Sequence, residues 1–193
     1  MNIKLIIAAL LISLLSFAMQ WWQPDLLYVR GAVNQGEWWR ILSGQLVHTN
    51  WPHFELNISS LLIFALLFYN SVNIRTFTIS LFLLALGVGL SIHYLEPRIH
   101  WYAGLSGAIY GLYLVGAYSS YQRNDVFIAI SVAALVIGKA TFEHFYGQIH
   151  SNAELINARV VTEAHLYGIV GAIVLCGTDK LYRLINPKLK VEE

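Results

Sequence analysis

The chain has 193 residues, of which 57% are hydrophobic and only 12% charged, with a net charge of +1 at pH 7. A soluble domain carries roughly 25% charged residues. These proportions therefore exclude an ordinary cytosolic enzyme, a disordered tail and a collagen-like fibre, and the near-neutral balance gives a nucleic-acid partner no electrostatic support. The single cysteine, Cys176, excludes an internal disulfide framework and any zinc site built on several cysteines.

A membrane-crossing helix needs about 20 mostly apolar residues, within a range of about 17–25. Residues 3–19, 54–70, 76–95, 105–121, 126–142 and 164–181 meet that requirement. They predict an all-α membrane protein, a six-helix bundle forming one domain over residues 1–193. At the first stretch, Ser16-Phe17-Ala18 resembles the small-residue cleavage site of a signal peptide. However, the single Lys4 is a weak positive start and bulky Trp21-Trp22 follow at an interfacial position, so an uncleaved first span fits better. The next connection, residues 20–53, is too long for a turn, and loops of that length usually carry structure or function. It contains Pro24, Gly31, Gly36 and the run Glu37-Trp38-Trp39-Arg40, and part of it reads as short interfacial helix. Residues 143–163 are polar and are expected to form a mobile outer loop.

Charge sets the orientation. With the N-terminus inside, the inner face receives Lys4, Arg75, Arg123, Lys180, Arg183, Lys188 and Lys190, and the outer face Arg30, Arg40, Arg98 and Arg159. That bias favours an inside N-terminus. Lys139 falls near the outer end of the fifth span and is expected to snorkel outward. All six tryptophans fall in outer loops or at outer helix ends, where amphipathic rings belong.

Ionisable and polar groups inside spans are costly and are functional candidates by default. The second span opens with His53 and Asn57, four apart and so on one helix face. The fourth opens with Gly104-Leu105-Ser106-Gly107, and the sixth with Glu163-Ala164-His165. These spans run in the same direction. From Asn57, Ser106 and His165 to the inner polar breaks near Asn70, Gln122 and Asp179 is roughly 20–24 Å at about 1.5 Å per residue, against a hydrocarbon core of about 30 Å. All three side chains therefore lie at similar depth below the outer surface. Small residues at Gly107 and Gly111, and at Ala164, Gly168 and Ala172, form ridges that let the fourth and sixth helices approach closely.

Serine is a weak nucleophile that needs a base to take its proton, and histidine titrates near neutral pH. Attack on a peptide carbonyl creates an oxyanion, which helix-start N–H groups and His or Asn side chains can stabilise. Ser106 and His165 thus read as a catalytic dyad, since no Asp in a span aligns with them, and His53 and Asn57 as oxyanion donors. Tyr110 is placed to pack on the His165 ring. Each residue alone has an ordinary reading: a buried serine bonding a carbonyl one turn back, a helix-end histidine at an interface, glycines that only pack. Their joint occurrence at one depth carries the chemical reading. Glu55 and Glu163 read as hydrated helix-end residues, His48 and His100 as loop residues, and Cys176 as a packing residue. His144 and His150 have no third ligand close in sequence and no His-Glu-x-x-His occurs, so neither metal nor cofactor is expected.

These pieces in this order resemble the rhomboid intramembrane serine proteases: Trp39-Arg40 in the first outer loop, His53-x-x-x-Asn57, Gly104-Leu105-Ser106-Gly107, and Ala164-His165-x-x-Gly168. The resemblance covers nearly the whole chain. It implies Ser106 as nucleophile, His165 as base, and His53, Asn57 and the Ser106 backbone N–H as oxyanion hole. It also implies a structured loop holding Trp39 and Arg40 beside the site, and Tyr110 stacked on His165. The short form without an added soluble domain is similar to the rhombosortase branch, which implies substrates with a C-terminal Gly-Gly-containing anchor. The expected partners are the lipid bilayer and a membrane-anchored protein cut near the outer face. The expected location is a bacterial inner membrane, both termini cytoplasmic and the site opening to the periplasm. Two rival classes are a catalytically inactive rhomboid-like protein that binds membrane clients, which would lack Ser106 or His165, and a small transporter, which would show pseudo-repeats that are absent.

Overall fold

The computed structural model describes residues 3–147 and 150–185. Lys188 and Lys190, assigned above to the inner face, and both ends of the 1–193 domain lie outside the described residues, as does the side chain of His150. Helix α1 (Ile3–Met19) runs through a 3-10 turn (Gln20–Trp22) into α2 (Gln23–Leu26), followed by β1 (Tyr28–Val29), α3 (Arg30–Asn34) and α4 (Arg40–Ser43). Then come α5 (Trp51–Leu67), α6 (Ile74–Leu95), β2 (Trp101–Tyr102), α7 (Ser106–Gln122), α8 (Val126–Tyr146), α9 (His150–Ile156) and α10 (Thr162–Ile185). Among the described residues, Ile3–Leu26, Ile74–Leu95 and Val126–Tyr146 are long and apolar enough to cross a membrane, and α5 is a shorter apolar helix. Helices α7 and α10 carry more small and polar residues.

Local chemistry moves several ends away from their expected places. Asn50 accepts the His53 N–H at 2.9 Å, and Pro52 occupies the first turn, where no N–H is needed. Helix α5 therefore starts at Trp51 and stops by Leu67, three residues earlier at each end than the apolar run suggests. Asn73 caps α6 by accepting from the Thr76 N–H at 2.8 Å. Helix α8 meets no breaker until Gly147, whose φ of 80° is open to glycine. It therefore continues to Tyr146 and takes Glu143 with it. The stretch 143–163, expected to form an outer loop, is helical in part. Its first residues belong to α8, and α9 is fastened to the start of α5, with Thr49 Oγ1 donating to the Ile156 carbonyl at 2.7 Å and Asn50 Nδ2 to the Leu155 carbonyl at 2.9 Å.

Helix α7 lies at the centre, against α5, α6, α8 and α10. The main core joins Leu61, Phe64 and Phe68 of the α5 region to Phe77 and Leu84 of α6 and Leu112 of α7. Large apolar side chains stay exposed, among them Leu14 on α1 and Ile130 on α8, as a bilayer-embedded surface requires. A second cluster, with Tyr28, Ile41, Ile92 and Tyr102, ties the first loop to the segment before α7. There β1 pairs antiparallel with β2, Tyr28 opposite Tyr102. Arg30 donates to the carbonyls of Ile92, His93, Glu96 and Ile99, satisfying the free end of α6. Arg40 is buried and donates to the carbonyls of Pro24 and Leu27 at 3.0 and 2.9 Å and to Glu37 at 2.5 Å, so it fixes the loop from within.

Candidate active site

The site begins with a close crossing of α7 and α10. A β-carbon on Gly168 would stand 1.8 Å from the Gly107 carbonyl oxygen, and one on Gly111 would stand 2.3 Å from the Gly168 carbonyl oxygen. Only hydrogen at these positions lets the two backbones touch. Ser106 is the first residue of α7, where N–H groups have no partner within the helix, and His165 is in the first turn of α10. The crossing brings His165 Nε2 to 3.0 Å from Ser106 Oγ. Tyr110, one turn along α7, lies flat on the imidazole, with ring centroids 4.0 Å apart and planes 6° from parallel.

His53 and Asn57 come from α5 into the same cavity, which holds about 620 Å³ and is lined in part by α5 and α8. His53 Nδ1 sits 3.1 Å from Thr49 Oγ1. The opposite ring edge lies against Gly104, where a β-carbon would come within 2.8 Å of Nε2. Gly104 has a φ of 124°, so both its backbone shape and the room for His53 demand glycine. Asn57 is buried, and its amide donates to the His53 carbonyl at 2.9 Å, which leaves its second N–H to face a ligand. His48 is fully buried behind His53, its ring centroid 5.0 Å away. Burial, helped by the neighbouring His53, holds the His48 imidazole down to about 3, so this loop histidine stays neutral. Trp39 is exposed and Arg40 is buried in the first loop, and neither lines the cavity.

One residue that sequence reasoning left outside the site stands in it. Glu143 Oε2 is 2.8 Å from His165 Nδ1 and accepts the Tyr110 hydroxyl at 3.0 Å. Lys139, one turn earlier on α8, contacts both Glu143 Oε1 and the Tyr110 hydroxyl. Beside the expected pair of Ser106 and His165, a carboxylate that the sequence did not align with them holds the far side of the imidazole. The outward snorkelling expected of Lys139 is corrected, since its ammonium turns to Glu143. The readable signal was the Lys139–Glu143 spacing of four, an ion-pair spacing on a continued helix. A carboxylate only accepts, so Nδ1 carries the proton in this contact, and a neutral imidazole so held would offer its Nε2 lone pair to Ser106.

Among the described residues, three helices long and apolar enough to cross a membrane, in a bundle that holds a hydrogen-bonded serine and histidine, define a class: a helical membrane protein with a polar site between its helices. A family model described as the Rhomboid domain matches residues 35–179, and the chain belongs to the rhomboid family. It is 25% identical over 166 residues, covering 86% of its own length and 79% of the relative's, to the Bacillus subtilis (strain 168) protein named "Putative rhomboid protease YdcA".

Proposed function

We propose that the protein is an intramembrane serine endopeptidase that cuts membrane-anchored proteins near the outer face of the bilayer. In this reading α1, α5, α6, α7, α8 and α10 are six spans, with both termini cytoplasmic. The observation that carries the reading is the contact between His165 Nε2 and Ser106 Oγ, 3.0 Å, at the start of α7 and inside a cavity. Membership of the rhomboid family supports it.

The chemistry follows from these atoms. Ser106 Oγ attacks the scissile carbonyl carbon while its proton passes to His165 Nε2. Negative charge develops on the carbonyl oxygen, where the Ser106 N–H, His53 and the free N–H of Asn57 serve as donors. The C–N bond then breaks, and the imidazolium gives its proton to the departing amine. Water, deprotonated by the same imidazole, hydrolyses the acyl-enzyme and restores Ser106. Gly104, Gly107 and Gly168 let the partners close up, Tyr110 orients the imidazole, and Trp39 and Arg40 belong to the structured first loop.

A substrate helix hides its carbonyls in hydrogen bonds and must unwind to be cut. Glycine costs about 1 kcal/mol of helix stability relative to alanine, so small residues beside the anchor favour cleavage. The direct experiment is co-expression with a single-span protein carrying a Gly/Ala-rich outer juxtamembrane segment, with the new terminus mapped by mass spectrometry. Wild type cuts there and Ser106→Ala does not; near-normal cleavage by a well-folded Ser106→Ala chain would sink the mechanism, and no cleavage by folded wild type would favour an inactive, client-binding rhomboid. The narrower rhombosortase reading, a Gly-Gly tail ahead of a C-terminal anchor, rests on sequence resemblance. It fails if such tails stay intact while other single-span proteins are cut.

A further inference from the structure

We propose that Glu143 is a positioning residue for the reaction, keeping His165 in the tautomer that accepts the Ser106 proton and stabilising the imidazolium that forms. This rests on the proposed roles of Ser106 and His165.

A carboxylate in an apolar bundle is costly unless every lone pair finds a partner. A lysine and a glutamate one turn apart near the outer end of a lipid-facing helix have an easy solution, which is to reach together into the outer interface. These two do not take it. The Glu143 side chain is 3% exposed while Lys139 is 48% exposed, so the carboxylate turns inward and the ammonium follows it. Its partners come from three helices: Lys139 on α8, Tyr110 on α7 and His165 on α10. Tyr110 also covers the imidazole face, so one residue holds both the ring and the acid that orients it. With Nδ1 bound to the carboxylate and Nε2 to the serine, the imidazole has one productive orientation.

Labelling with a fluorophosphonate tests this without a natural substrate. Ser106 Oγ bonds the phosphorus, fluoride leaves, and the hydroxyl proton passes to His165 Nε2. The rate constant at saturating probe, read against pH, isolates the chemical step from probe binding. Beyond Glu143, the groups facing His165 are Ser106 and Tyr110 from α7, Lys139 from α8 and His53 across the cavity from α5. On its own helix Glu163 pairs with Arg159, and towards α6 Glu96 takes the Tyr167 hydroxyl. Glu143→Gln keeps the volume but removes the charge and permits the wrong tautomer. The expected result is a rate lower by roughly 10²–10⁴-fold, unchanged probe affinity, and a rising pH limb moved to lower pH, because the imidazolium loses its anion. Glu143→Asp recovers part of the rate. Lys139→Met moves the limb the other way, since a cation is removed.

A Glu143→Gln chain that labels at the wild-type rate with the wild-type pH limb overturns the proposal while leaving Ser106 and His165 in place. Loss of rate with no movement of either limb overturns it too, because a merely structural carboxylate would behave that way. If Glu143→Gln does not fold, Lys139→Met decides: an unshifted pH limb in that variant defeats the proposal. Equal labelling of wild type and Ser106→Ala is a different failure, and it removes the underlying reading as well.

Discussion

Helices α7 and α8 meet the same site on different terms. Helix α7 buries nine of its 17 residues and touches α10 through glycine backbones. Helix α8 buries four of its 21, Ala129, Val132, Ala140 and Glu143, and leaves the rest partly or fully exposed. The serine and the histidine thus stand on the most tightly fitted pair of helices, whereas the carboxylate behind the histidine hangs from a helix that buries few of its residues. A tight crossing fixes a distance; a loose helix can supply charge without constraining that distance.

The largest test falls on the tight side. Ser106→Ala and His165→Ala should each lower cleavage of a single-span substrate by roughly 10⁶-fold, and the double variant by little more, because the two act as one unit. Cleavage gels with a folding control check this, and independent, multiplying losses would separate the pair. Next, His53→Ala and Asn57→Ala ask whether the tight pair suffices alone. Turnover should fall about 10²–10³-fold for each with little change in KM, as for groups that act mainly in the transition state. A raised KM with unchanged turnover would make them binding residues.

Gly168→Val attacks the crossing itself. The added side chain collides with the Gly107 carbonyl, pushes α10 from α7 and should cost about 10²-fold in labelling rate, as misplacement by about 1 Å does, with a lower thermal midpoint. The smallest effect belongs to the loose side. Ile130 on α8 is 63% exposed, and Ile130→Ala should change stability by no more than about 0.5 kcal/mol. Thermal unfolding in detergent compares the two, and equal losses would erase the contrast between the helices.

Legibility in the sequence followed the same divide. Ser106, His165, His53 and Asn57 are polar residues at the starts of apolar runs, where composition is abrupt, and the small-residue ridges around Gly107 and Gly168 have a readable four-residue spacing. Glu143 escaped because it follows the apolar run that ends at Phe142, so hydropathy placed it in a loop. Only the missing breaker before Gly147 keeps it helical, and only the three-dimensional crossing shows that it faces His165. The same limit hid α9, whose link to Thr49 and Asn50 joins residues more than a hundred positions apart. Arg30 was legible as an outer charge, but not as the donor that closes the end of α6.

The central claim is that the Ser106 hydroxyl is activated by His165, and the most direct measurement is the position of a covalent adduct. Wild-type protein in detergent is treated with a fluorophosphonate, digested, and its peptides are read by tandem mass spectrometry. The expected result is one adduct on Ser106, absent from His165→Ala. An adduct on another serine, or one on Ser106 that forms equally fast without His165, would contradict the account.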